Sequence, residues 1–291
     1  MKPAPFRYFA PATLAGALDL LAEHGEEARI LAGGQSLVPL MNLRVLKPAS
    51  LISINHCPEL DYIRATPDAI VIGAAARQAA GEESAEVARH CPLLAATLPF
   101  VGGAANRNRG TICGSLAHAD PLAELPACAI ALEAEFVLAR AGGRRTVPAR
   151  QFFVAELTNC LDSGEMLEAV RFPSVRDADV RAAFVEVGNR KHGFAVAGVA
   201  VQFALDAAGR CADVRIAGIG FGPVPRRFTS SEDLLAGARP SEAVFLEAGK
   251  LASGESGGGS DIHADAAYRK AMAGVLVERA LRKALSTSGR A

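Results

Sequence analysis

Apolar positions along the chain change period as the chain proceeds, and each change predicts a different element. From Thr13 to His24, Leu14, Leu18 and Leu21 fall on one helical face, with Thr13 placed to cap the start and Gly25 to end it. Arg29 to Ala32 then reads as a short strand entering Gly33-Gly34, Leu37 to Leu43 as a helical turn, and Leu51 to Ile54 as a second strand. That order predicts a small βαβ-like unit with a glycine turn at the end of a strand.

Tyr62 to Ala65 and Ala69 to Gly73 are β-rich runs joined by Thr66-Pro67-Asp68, a hairpin turn. Glu82 to His90 and Leu93 to Leu98 read as helical, with Glu82, Glu83 and Glu86 on a solvated face. Leu122 to Leu132 reads as a buried helix, Phe136 to Ala139 as a strand, and Met166 to Phe172, closed by Pro173, as the last strand of a first region. Ala182 to Val187, Ala195 to Leu205 and Ala212 to Ile219 are valine- and alanine-rich strands, two of them joined by Asp206-Ala207-Ala208-Gly209. Helices follow over Ser241 to Ala252 and Asp265 to Leu285, the second with a Tyr268, Met272, Val275, Leu276, Leu285 stripe facing a sheet. Between them Ser253 to Ser260 reads as a flexible loop.

At 291 residues, half of them apolar, the chain suits two domains, expected over 1–175, with subdomains about 1–57 and 58–175, and over 178–288. Lys+Arg and Asp+Glu are both 31, so no net field gathers nucleic acid or an acidic membrane surface. Pro3, Pro5, Pro11 and Asp19 interrupt any secretory signal, and the longest strongly apolar run, Phe194 to Val201, falls short of the ~20 residues that cross a bilayer. No transmembrane segment and a cytoplasmic location are expected. Six cysteines lie scattered without a CxxC pair, so no metal is expected on this chain and most thiols read as reduced and buried. Cys113 stands apart because it lies in a glycine turn.

The chemistry concentrates in two turns. Ala32-Gly33-Gly34-Gln35-Ser36-Leu37 and Arg109-Gly110-Thr111-Ile112-Cys113-Gly114-Ser115 each offer consecutive main-chain N–H groups beside a hydroxyl, the equipment for holding a diphosphate without cationic side chains. Gly33, Gly34 and Gly114 allow close approach, and each charge-assisted hydrogen bond from Ser36, Thr111 or Ser115 contributes about 1.5–3 kcal/mol. Ser36 and Ser115 have the alternative role of capping turns. The sequence holds no GxxxxGK[ST], GxSxG or HExxH, which disfavours P-loop, serine-hydrolase and zinc-hydrolase chemistry. Gly218-Ile219-Gly220-Phe221-Gly222 has the wrong spacing for a dinucleotide fingerprint and reads as a bend. Of the six histidines only His118 and His192 lie near glycine-rich candidate sites.

With both turns in order, the segments Ala32 to Arg44, Asn108 to Pro126 and Asp261 to Ala284 together resemble the FAD-binding medium subunit of molybdenum hydroxylases. That family includes bacterial carbon monoxide dehydrogenase, quinoline oxidoreductase and the flavin domain of xanthine dehydrogenase. The resemblance implies an α+β chain: a two-subdomain FAD-binding domain of the vanillyl-alcohol-oxidase type, then an α+β C-terminal domain with a three-stranded antiparallel sheet and helices. It places Ile30, Leu31, Ala32, Gly33, Gly34, Gln35, Ser36 and Leu37 against the FAD diphosphate, and Thr111, Ile112, Cys113, Gly114 and Ser115 along diphosphate and ribityl chain. Glu124 falls on the adenosine side, Leu161 on the adenine and Val101 near the flavin. His118 and Asp120 either contact the cofactor or, for Asp120, cap a helix beginning at Pro121, the reading favoured. Arg107 and Arg109 either neutralise the diphosphate or face a partner.

The sequence departs from the family where Cys113 replaces a glycine, which restricts the backbone and sets a thiol near the cofactor. It also departs at Gly102 to Asn106, and at Val185, where xanthine dehydrogenases carry a lysine near the flavin. The function implied is electron transfer: a large subunit with the molybdopterin cofactor hydroxylates the substrate, and a small subunit with [2Fe–2S] clusters feeds electrons through FAD to an external acceptor. A dimer of heterotrimers is the implied assembly. No catalytic acid, base or nucleophile is demanded here, and Gly114-Ser115 and Glu124 lean toward an N-heteroaromatic substrate. The alternatives are a stand-alone flavin oxidase or reductase, which turns over without partners, and a scaffold subunit that has lost FAD, which purifies without flavin colour.

Overall fold

The computed structural model describes residues 1–175, 179–190 and 193–287. His192 and the outer ends of the expected 178–288 unit lie outside the described residues.

Three short parallel strands form the first sheet, in the spatial order Arg7–Phe9, Ser50–Ser53, Ala28–Leu31. Parallel neighbours need crossovers, and two helices supply them. Leu14–His24 is the longer; Thr13 Oγ1 accepts the Gly16 N–H at 3.1 Å, Leu14, Ala17, Leu18 and Leu21 are buried, and Gly25 ends the helix at φ +50°. Leu37–Asn42 is the shorter, and the strand Ala28–Leu31 reaches it through Gly33-Gly34.

The second sheet has five antiparallel strands, ordered Ile63–Ala65, Ala69–Gly73, Met166–Pro173, Glu135–Arg140, Gly143–Pro148. The expected hairpin is present, its turn closed by Thr66 Oγ1, which accepts the Ala69 N–H at 3.0 Å. Gly143–Pro148 carries no apolar alternation because it is the sheet's outer edge, exposed over most of its length. The single helix expected over Glu82 to His90 is two, Gln78–Glu83 and Ala85–His90, interrupted where Ser84 turns its Oγ to the Val87 N–H. The buried helix expected over Leu122 to Leu132 runs only Glu124–Ala131, with every residue buried. Asp120 does not cap it: its Oδ1 accepts the Leu122 N–H at 2.8 Å in a turn that uses up the residues before Glu124.

In the C-terminal sheet Val180–Gly188, Ala195–Leu205 and Cys211–Ile219 are antiparallel, and Arg226–Arg227 adds a two-residue edge strand. Gly220, at φ +79°, makes the expected bend beyond Ile219. One face, carrying Phe184, Ala200 and Ala217, shares a core with the N-terminal half and meets the helices Pro92–Thr97 and Glu124–Ala131. The opposite face, carrying Val199, Val201 and Phe203, packs under Thr229–Leu235 and Ala266–Ser286, and Glu242–Glu255 lies against both of those helices. Burial on both faces is why Ala195–Leu205 is apolar at every position but Gln202. Helix Ala266–Ser286 keeps part of the expected stripe, with Leu276 buried and Met272 and Leu285 packed against the core, but Tyr268 is 43% exposed, and Ala273, Val277, Ala280, Leu281 and Ala284 also face inward. The small alanines lie at the contact because they let the helix axis approach the sheet, a property that ranking residues by apolar size overlooks.

Candidate cofactor-binding site

The fold brings the two glycine turns into contact. A Cβ on Gly33 would stand 2.3 Å from the Arg109 carbonyl oxygen and 2.6 Å from Gly110 Cα, so only glycine fits there. Gly34 takes φ +73°, which turns the chain from the strand into the helix Leu37–Asn42. Together the turns wall a cleft of about 910 Å³, at the large end of the 300–1,000 Å³ usual for small-molecule sites. All the candidate residues from Ile30 to Leu37 line it, as do Val101, Thr111, Cys113, Gly114, Ser115, His118, Asp120, Glu124 and Leu161. Ile112 does not: its side chain is wholly buried, with Cδ1 only 2.8 Å from where a Gly81 Cβ would stand.

The turns differ in what they leave open. Among the described residues, the main-chain N–H groups of Gly33, Gly34, Gln35 and Ser36 have no protein acceptor. The second turn is the start of the helix Ile112–His118, and the fold uses most of its donors. Ile112 N–H donates to Ala76 O at 3.3 Å, Gly114 N–H to Thr111 Oγ1 at 3.0 Å, and Ser115 N–H to Thr111 O at 3.2 Å. Thr111 Oγ1 serves as the N-cap acceptor, which leaves its own O–H proton to donate. Cys113 keeps an open N–H, and since it occupies helical backbone a non-glycine residue is unstrained there. Its thiol does not reach the cleft: Sγ donates to Ile72 O at 3.5 Å beneath the five-stranded sheet, and burial pushes its pKa up to about 12.

Polar groups organise the rest of the cleft. Arg145 pairs with buried Glu165 at 2.6 Å and donates to Cys160 O, and the pairing holds the Glu165 carboxyl below its usual range. Asn159 Oδ1 accepts the Leu161 N–H at 2.9 Å, so Leu161 stands on a fixed loop. Glu124 is 7% exposed; burial, with smaller contributions from Glu186 and Asp120, pushes its pKa up to about 8. Burial also raises Glu186 to about 7 and lowers His118, against the opposing pull of Asp120. Arg29 is the one arginine or lysine among the described lining residues, so anion recognition falls to main-chain amides.

Several organising residues carried no sequence signal. Asn55 Nδ2 donates to Ala32 O at 3.0 Å, and Arg77 donates to Asn55 Oδ1 at 2.6 Å and to Arg109 O, tying the turns together. Asn106 Nδ2 donates to Gln35 Oε1 at 3.2 Å across the same junction. Arg107 neither lines the cleft nor faces outward; it is 9% exposed and paired with Glu82, which is therefore not on a solvated face. Arg109 is exposed and lines a second depression of about 410 Å³ with Tyr8, Asn55 and the first turn itself. These pairings span 22 to 71 residues, beyond the reach of local pattern.

An amide-rich glycine turn at the end of a parallel strand, braced by a second turn above a long cleft, defines a flavin-nucleotide-binding chain. Residues 4–175 match a family model described as the FAD binding domain in molybdopterin dehydrogenase, and residues 182–284 match the CO dehydrogenase flavoprotein C-terminal domain. The chain belongs to the FAD-binding medium-subunit family of molybdopterin dehydrogenases. It is 36% identical over 285 residues to the 6-hydroxypseudooxynicotine dehydrogenase complex subunit alpha of Paenarthrobacter nicotinovorans, covering 98% of this chain and 96% of that one. It superposes on a chain of carbon monoxide dehydrogenase from Hydrogenophaga pseudoflava with a TM-score of 0.93 at 37% identity, covering 98% and 99%. Quinoline 2-oxidoreductase from Pseudomonas putida 86 gives 0.92 at 33% identity, covering 98% of each chain. FAD is the cofactor, and the chain is a component of an oxidoreductase.

Proposed function

We propose that this chain is the electron-transfer subunit of a molybdenum-containing hydroxylase, taking electrons from [2Fe–2S] clusters on a small partner subunit and passing them through FAD to an external acceptor. The reading rests on one observation: two turns far apart in sequence meet along one cleft, and four main-chain N–H groups of the first, which lines it, have no acceptor among the described residues. That cradle, where a Gly33 side chain cannot fit, suits the diphosphate of FAD. Bound FAD supplies the hydride- and electron-accepting chemistry.

This chain's residues do the rest. Gly33 to Ser36 hold the diphosphate, and the Cys113 N–H adds a donor from the helix start. Leu161 offers an apolar surface to the adenine, Glu124 a carboxyl to the adenosine side, and Val101 a wall to the flavin. In the cleft His118 is held toward its neutral form by burial. The FAD-binding unit runs over 1–175 and the C-terminal unit over 178–288. The substrate is oxidised on a large molybdopterin subunit, in a cytoplasmic dimer of heterotrimers. The six cysteines are scattered without a CxxC pair, and this spacing supports assigning the clusters to partners. Relatives named for quinoline and for a hydroxypseudooxynicotine support an N-heteroaromatic substrate.

The test is reconstitution. The purified chain takes up one FAD with a flavin absorbance spectrum, and substrate oxidation appears only when the large and small subunits are added. Failure to bind FAD, or turnover by the chain alone, overturns the proposal.

A further inference from the structure

We propose that the Arg107–Glu82 ion pair is a positioning device for the flavin end of the cleft, acting through the main-chain wall at Val101-Gly102. Arg107 is buried, and its guanidinium makes contacts in two directions. On one side Nε and Nη2 donate to Glu82 Oε2 and Oε1 at 2.6 and 3.1 Å, a bidentate pair joining Arg107 to the helix Gln78–Glu83. On the other, Nη1 donates to Gly102 O at 2.9 Å and to Val101 O at 3.3 Å. Val101 and Gly102 both line the cleft, whereas Arg107 and Glu82 do not.

The wall needs holding. Gly102 sits at φ +52°, and the segment leaves the short turn Leu98–Phe100 with no regular structure of its own before Ala104–Arg107. Its upstream end is fixed from elsewhere: the Phe100 ring meets Phe184 edge-on at 5.2 Å and carries Lys283 Nζ 4.9 Å above it. Arg107 fixes the downstream end. With both carbonyls engaged by the guanidinium, the Val101 side chain and the Gly102 main chain present one surface to the cleft.

The pair also sets the charge behind that wall. Glu82 balances Arg107, so the surface met by a cofactor is neutral. Removing either partner leaves a charge of known sign in a half-buried place, where it acts over short distance with little screening. Reduction brings negative charge to a flavin, so an unbalanced Arg107 raises the flavin midpoint potential and an unbalanced Glu82 lowers it.

This inference rests on the reading that Val101 borders the flavin. The experiment uses the full chain carrying FAD and compares Glu82→Gln, Arg107→Met and the exchanged pair Glu82→Arg/Arg107→Glu. The readouts are flavin content, FAD Kd, visible spectrum and midpoint potential. We expect Glu82→Gln to raise the potential and Arg107→Met to lower it. We also expect the single variants to weaken FAD binding about tenfold, and the exchanged pair to bring the potential back toward the wild type. If Arg107→Met does not fold, the sign of the Glu82→Gln shift and the spectrum of that conservative variant decide. Potentials that do not move, or move in the same direction for both single variants, overturn the positioning role. A wild-type chain that takes up no FAD fails the parent reading instead, a separate result.

Discussion

The first and second glycine turns look alike in sequence and serve the cleft differently. In Ala32 to Leu37 the amides are open and the glycines make room; in Arg109 to Ser115 most amides are bonded within the protein and a threonine caps a helix. The first turn keeps its amides open and the second is mainly a brace, set against Gly33 so closely that a methyl group there would strike it. A glycine motif therefore tells less about ligand contact than the acceptor each of its N–H groups already has.

The strongest way to break that comparison is Gly33→Ala. Its Cβ meets main chain, not a movable side chain, so overpacking costs about 3 kcal/mol and the turns separate. Thermal denaturation and FAD titration should show lower stability together with lost binding; a variant that binds FAD normally would mean the turns do not need contact. Gly34→Ala is next, costing roughly 1–2 kcal/mol because φ +73° disfavours an L-residue, with weakened FAD affinity as the measured sign.

Thr111→Ala tests the brace. Loss of the N-cap costs about 1 kcal/mol in denaturant melts, Thr111→Ser restores it, and FAD affinity falls less than in Gly34→Ala. Equal loss of affinity would make Thr111 a ligand contact after all.

Glu124 adds a pH dependence. Its carboxyl is raised from 4.5 to about 8, so the folded chain holds a proton that the unfolded chain has released, and stability falls as pH rises through that interval. Glu124→Gln should flatten that fall in melting temperature, leaving the smaller share due to Glu186; an unchanged slope would remove Glu124 as its source. The smallest effect belongs to Cys113→Ala. With the thiol turned to Ile72 O, FAD affinity should stay within about twofold, and a larger loss by titration would place sulfur at the cofactor.

Much of this was legible from residues close together in sequence. The helix at Leu14 to His24 followed from its period and its cap, the hairpin around Thr66-Pro67-Asp68 from turn chemistry, and both glycine turns from composition. The family resemblance rests on the two turns and the tail, and it carried the cleft-lining residues across the whole chain. What stayed hidden has one physical character: it depends on partners far away in sequence. Nothing near Arg107 marks it as the mate of Glu82, nothing in Gly143–Pro148 announces a strand until Glu135–Arg140 offers an edge, and the direction of the Cys113 thiol follows from the sheet beneath it. Asp120 shows the local limit too, since an Asx turn and a helix cap draw on the same residue type.

The strand Ala195–Leu205 belongs to two cores at once, one through Ala200 and the other through Val199 and Val201. Cutting the chain after residue 175 would strip the N-terminal half of part of its own interior and leave an oily flank on each fragment. Heating should accordingly melt the flavin end and the tail in a single step, with neither half surviving as an independently soluble piece.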